Sequence, residues 1–142
     1  MNIFLEFIYA FFATISFAVI FQVPKRVLTS CGIVGAAGWV TYSVLLHTLG
    51  SKLFCAYFVA SLVVTFLAEF FAQVKKEPAT IFIATGIIPL VPGLALFQGV
   101  STIVSGSEDF SKLCEAGSGS IAIALGVMLI SSILHYARQN KN

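Results

Sequence analysis

The chain has 142 residues, of which 58% are hydrophobic and only 10% charged, against roughly 45–50% and 25% in soluble domains; its mean hydropathy is +0.99. This composition excludes an ordinary water-soluble globular domain. The net charge of +2 comes with no basic stripe interleaved with exposed aromatics, so nucleic acid is not an expected partner.

Apolar segments run over residues 3–21, 27–46, 53–74, 79–100 and 116–137, each close to the ~20 residues that cross about 30 Å of hydrocarbon. The predicted fold is all-α: one transmembrane domain over residues 1–142, a bundle of five helices in a lipid bilayer. The first segment has no positive charge ahead of it and is followed by Pro24, Lys25 and Arg26. A cleaved signal has the reverse pattern, so this segment is expected to remain as a span. Glu6 in its first turn is expected to snorkel to the outer surface.

Lys and Arg are retained on the cytoplasmic side. Placing Lys25, Arg26, Lys75, Lys76, Arg138 and Lys141 inside leaves only Lys52 and Lys112 outside, which predicts an N-out, C-in topology. Residues 101–115, with Glu108, Asp109 and Glu115, are expected to form a polar outer loop.

The second segment contains SCGIVGAAG, with Gly32, Gly35, Ala36 and Gly38, and the fifth carries Ser118, Ala122 and Gly126. Small residues at these intervals predict close helix packing; the spacing fits no phosphate-cradling loop. In the third segment, Glu69, Gln73 and Lys76 follow helical spacing and are expected on one face. With Lys75 they form either a solvated ionic edge or an inner vestibule that handles substrate or protons.

The fourth segment follows KKEPATIFIATGIIPLVPG, residues 75–93. Pro78 suits a first helical turn, where its missing donor costs nothing. Gly86, Pro89, Pro92 and Gly93 fall within eight residues, and Pro89 is the eleventh of the 22 residues from Ala79 to Val100, near the bilayer midplane. Each proline removes a donor and crowds the carbonyl four residues earlier, so Thr85 and Ile88 are expected to lose carbonyl partners. Transporters use helices broken at this depth to bind ions or carboxylates. Thr80, Thr85, Gly86, Pro89, Pro92 and Gly93 are therefore candidates for a substrate pathway; a kink used only for packing is the competing reading. The two threonine hydroxyls either serve a ligand or bond back to their own helix.

His47 and His135 are expected at the headgroups, with Tyr42 and Tyr136. Cys31, Cys55 and Cys114 have no ligand or redox spacing, and no metal or cofactor is expected. The charged residues are too dispersed for paired-carboxylate chemistry, and no serine, histidine and carboxylate set is suggested by position. An enzyme is not expected.

The segment Pro78 to Gly93 in its five-span setting resembles the threonine/serine exporter (ThrE-like) family, in the form of its small membrane subunit, which matches the C-terminal half of fused members. The resemblance rests on Pro78-Ala79-Thr80, Gly86, Pro89, Leu90, Val91, Pro92 and Gly93. It implies export of small polar metabolites, threonine and serine or a dicarboxylate such as succinate, across the cytoplasmic (inner) membrane. It also implies pairing with a larger membrane subunit to complete two inverted halves, and leaves room for a higher oligomer. Proton coupling through Glu69 or through the partner is expected. A non-transporting scaffold or assembly subunit is the alternative.

Overall fold

The computed structural model describes residues 2–47, 50, 52–106 and 110–140. Glu108, Asp109 and Lys141, which enter the loop and charge arguments, lie outside the described residues, as does the side chain of Arg138. The elements are α1 (Ile3–Ile20), a 3-10 turn (Lys25–Val27), α2 (Leu28–His47), α3 (Leu53–Lys75), α4 (Ala79–Ile87), a second 3-10 turn (Ile88–Leu90), α5 (Gly93–Val104) and α6 (Ser111–Gln139). Among the described residues there is no strand.

Two helices end in the same way. After α1, Gln22 turns left-handed (φ 56°) and the Val23 N–H reaches back to the Ala18 carbonyl at 3.0 Å. After α3, Lys76 does so (φ 54°) and the Glu77 N–H reaches the Ala72 carbonyl at 3.1 Å. Both close the terminal carbonyls in the manner of a Schellman motif, and a proline follows two residues later, Pro24 and Pro78. The turns meet: Arg26 donates to and ion-pairs with Glu77. Lys76 is therefore not on the helical face of Glu69, as its spacing suggests; the left-handed turn carries it away.

α1 packs on α2, α2 on α3, and α3 on both α4 and α6. Small residues set these distances. A Cβ on Gly35 would strike the Thr14 side chain, one on Gly86 would come within 2.6 Å of Val34, and one on Gly126 would strike Ser61 while lying 3.0 Å from the Phe58 carbonyl. Ala36 and Ala122 are fully buried and Ser118 half-buried. Val27, Cys31, Val34, Val64, Phe82 and Leu90 fill the centre.

α6 begins at Ser111, five residues before the apolar segment does. Hydropathy marks where hydrocarbon starts, whereas a helix starts where its first turn is stable. Here the Cys114 N–H bonds to the Phe110 carbonyl at 3.0 Å and Lys112 pairs with Glu115 at 2.8 Å.

Among the described residues, four helices are long and apolar enough to cross a membrane: Ile3–Ile20, Lys25–His47, Leu53–Lys75 and Ser111–Ala137. Ala79–Leu90 with Gly93–Val104 passes the same test as a pair bent by 54°. Such a bent pair is either one broken span or a re-entrant loop. Gly119 of α6 faces Tyr57 and Gly126 faces Ser61, while Ser131 shares a cleft with Glu69; as α3 ascends in number so does α6, and the two run parallel.

Candidate functional site

The α4–α5 break is tighter than two prolines alone dictate. The Ile88 N–H donates to the Thr85 carbonyl, and the Val91 N–H is shared between the Ile87 and Ile88 carbonyls at 3.2 and 3.3 Å. Thr85 and Ile88 thus keep carbonyl partners, contrary to expectation, because the chain shrinks from α to 3-10 spacing through Ile88–Leu90. The Gly93 N–H then turns onto the Val91 carbonyl at 2.7 Å, and α5 leaves at its new angle.

A cavity of about 280 Å³ opens at this break. Pro89 through Ala95 form one wall and Gln98 its edge; Trp39, Tyr42 and Tyr57 form another, and Lys112 with Glu115 close it. The rings adjoin one another: Trp39 lies tilted against Tyr42 with centroids 5.5 Å apart, and Tyr42 stacks on Tyr57 at 4.6 Å. Tyr42 thus lines the cavity. The first turn of α5 reaches the cavity through Gly93, Leu94 and Ala95, where helix N–H groups lack intrahelical acceptors.

A second cleft, of about 420 Å³, lies near the opposite end of α3. It is lined by Glu69 of α3, Ala79, Thr80 and Ile83 of α4, and Ser131, Ser132 and His135 of α6. Glu69 is only 9% exposed. The Nε2 of His135 lies 3.2 Å from Gln139 Nε2. Lys76 borders a neighbouring cleft with Gln73 and Glu77, and Lys75 is exposed at the end of α3, bordering neither.

The sequence candidates thus divide. Pro89, Pro92 and Gly93 line the break cavity, and Thr80 lines the Glu69 cleft. Thr85 is buried with its hydroxyl donating to the Ile81 carbonyl at 2.9 Å and borders a separate cleft with Thr80 and Ala84, whereas Gly86 is pressed between Val34 and Val64. Thr80 to Pro89 is nine residues, about 13 Å of helix rise.

Sequence reasoning missed Trp39, Tyr42 and Tyr57 as a group, and the polar face of α6. The latter had a signal, since Ser131 and His135 are four residues apart and share a helical face. Glu6 is half-buried in the first turn of α1, and its Oε2 is buried without a hydrogen-bond partner. It lines a third cavity with Tyr9, Ala10, Ala13, Trp39 and Pro89.

A family model described as threonine/serine exporter, ThrE, matches residues 6–133. The chain belongs to the threonine/serine exporter family. It is 33% identical over 87 residues to a probable threonine/serine exporter of Mycobacterium tuberculosis, covering 57% of this chain and 16% of that protein. It is also 29% identical over 99 residues to an uncharacterized protein of Haemophilus influenzae, covering 70% of this chain and 33% of the relative. The chain therefore spans between a sixth and a third of the length of these relatives. No solved structure matches it. Family membership and several long apolar helices make this exporter-family chain a multi-pass membrane protein.

Proposed function

We propose that this exporter-family chain is a subunit of a secondary transporter that moves small polar metabolites out across the cytoplasmic membrane. The observation that carries the reading is the cavity at the Pro89–Gly93 break, which combines backbone freed from regular helix with a cation, an anion and aromatic faces. Lys112, which in this structure pairs with Glu115 at 2.8 Å, and the first turn of α5 beyond the bonded Gly93 N–H suit a carboxylate. Glu115 and the faces of Trp39, Tyr42 and Tyr57 suit an ammonium group. This mixed set favours a zwitterionic amino acid of the threonine/serine type over a dianion such as succinate.

The path has two ends. The Glu69 cleft is the cytoplasmic mouth, in an N-out, C-in orientation that puts Lys25, Arg26, Lys75 and Lys76 inside; the break cavity faces the exit. Phe82, Thr85, Gly86 and Leu90 occlude the stretch between them. The parallel course of α3 and α6 supports reading α4 and α5 as one broken span rather than a re-entrant loop. Rocking against a second half would open each end in turn, and that half belongs to a larger family subunit or to the remainder of a longer chain.

The test is efflux of labelled threonine, serine and succinate from preloaded cells that express this chain alone or with a candidate larger subunit. Efflux of threonine or serine that needs both proteins supports the proposal; efflux by this chain alone points to a homo-oligomer. If neither combination moves any of the three while both proteins reach the membrane, the scaffold reading replaces it.

A further inference from the structure

The end of the bundle that carries the two Schellman turns is strongly positive. Residues 21–27 and 75–78 hold Lys25, Arg26, Lys75 and Lys76 against one carboxylate, Glu77, and the Arg26–Glu77 pair sets the two connections side by side. Lys25, Lys75 and Lys76 are exposed and, among the described residues, take part in no ion pair. Arg26 donates to Glu77 through one terminal nitrogen. Its guanidinium has five N–H donors in a planar fork and its side chain is 71% exposed, so donors remain open to a second oxyanion.

Beside this charge, an apolar groove of about 330 Å³ lies between the end of α1 and the first two turns of α4. Phe21, Val23, Ile81 and Ala84 line it, with Thr80 and Thr85, and among the described residues no charged side chain does. The Thr85 hydroxyl is turned back to the Ile81 carbonyl of its own helix. Phe21 and Ala84 are exposed, Val23 and Ile81 half-buried, so the groove opens sideways. Val23 precedes Lys25 by two residues, at most about 7 Å of chain, and Thr80 follows Glu77 by three. The cations therefore stand at one end of the groove, with the apolar wall running away from them.

That order suits an amphiphile with an anionic head. A soluble anion would leave Phe21 and Ile81 uncovered, and a neutral lipid would leave Lys25 without a counter-charge. Basic residues at the ends of spans attract anionic lipids, and basic pockets between spans bind their head groups. We propose that this groove binds one anionic phospholipid, with its phosphodiester on Lys25 and the open donors of Arg26 and an acyl chain along Phe21, Val23, Ile81 and Ala84. Glu77 is a positioning residue: by holding Arg26 it keeps the guanidinium at the mouth of the groove. Lys75 and Lys76 add to the local positive potential. The lipid would brace the start of α4 against the end of α1, elements that already touch. The site requires only that the chain sits in a bilayer, and it stands or falls separately from the transport reading.

The test is native mass spectrometry of the full protein, with whatever subunit it assembles with, titrated in detergent with dioleoyl phosphatidylglycerol, dioleoyl phosphatidylcholine or chain-free glycerol phosphate. Phosphatidylglycerol is expected to bind about fivefold or more tightly than phosphatidylcholine, and glycerol phosphate is expected not to be retained. Lys25→Gln leaves the Arg26–Glu77 pair in place and is expected to weaken phosphatidylglycerol alone, by about fivefold. Ala84→Phe fills the groove and is expected to abolish the tight adduct. Lys52→Gln, at the other end of α3, is expected to change nothing. Equal binding of the two lipids, phosphatidylglycerol binding that survives both Lys25→Gln and Ala84→Phe, or an equal loss in Lys52→Gln overturns the inference. So does glycerol phosphate bound as tightly as the lipid, which would make this a soluble-anion site, or lipid taken by the chain alone and excluded from the assembled complex, which would give the groove to a protein neighbour. If Ala84→Phe does not fold, Lys25→Gln and the comparison of head groups decide.

Discussion

At the scale of single residues, the chemistry of this chain lies where polar groups cannot be lost to solvent. Glu69 is almost fully buried in a cleft with hydroxyls and an imidazole, and in the proposed path it stands where substrate would enter. Glu69→Gln keeps the shape and removes the charge; it is expected to raise the substrate concentration for half-maximal efflux by about tenfold, the worth of one charge-assisted hydrogen bond, with little change in saturated rate. A kinetic series in preloaded vesicles checks this. Tyr57 is a second case. Its ring stacks on Tyr42 and lies against Gly119, so Tyr57→Ala leaves a void and is expected to cost about 3–5 kcal/mol, read as a lower thermal midpoint in detergent, whereas Tyr57→Phe keeps the stack. Sequence showed Glu69 clearly because a carboxylate stands out in an apolar helix. It did not show that Glu6 shares a groove with Trp39 and Pro89, because those residues come from two other elements.

At the scale of elements, the pattern of apolar runs was legible and the details of their ends were not. Hydropathy located the spans because hydrocarbon thickness fixes their length. It overlooked the first turn of α6, since Lys112, Cys114 and Glu115 form helix as readily as apolar residues. It placed Lys76 on the Glu69 face because helical spacing was extended past a left-handed residue that no glycine announced. The break shows the same limit: the prolines marked its place, yet the 3-10 tightening that rescues the Thr85 and Ile88 carbonyls is a backbone solution with no side-chain signature. Replacing both Pro89 and Pro92 by Ala permits α4 and α5 to run straight through, which would close the cavity. Efflux is expected to fall by at least about tenfold while the protein reaches the membrane at its normal level, measured by immunoblot beside the transport assay. At the α3–α6 contact the opposite holds. Gly126→Val forces a side chain into Ser61 and the Phe58 carbonyl and is expected to cost about 1–3 kcal/mol by overpacking, so membrane level and thermal midpoint fall together with efflux.

At the scale of the whole molecule, much of the outer surface is apolar. α1 and α5 present large apolar side chains, with Phe4 74%, Phe97 72% and Val104 82% exposed, and α5 packs on α6 through Gly99 against Leu113. Lipid or another apolar protein surface must cover these faces. Orientation is a separate matter that one measurement fixes for every loop at once. The Arg26–Glu77 pair ties the first and third connections to one end of the bundle, and the parallel course of α3 and α6 ties Lys112 to the other. In a background with Cys31, Cys55 and Cys114 replaced by Ser, a single cysteine at Lys25 or Lys76 is expected to react with a membrane-impermeant maleimide only after the cells are opened, because positive loops stay inside. A single cysteine at Lys112 is expected to react in intact cells. Labelling of Lys112 on the same side as Lys76 would mean that α4 and α5 turn back without crossing, and the continuous path from the Glu69 cleft to the break would be lost with it; labelling with both sides exchanged would keep the path and reverse the direction in which its mouth faces.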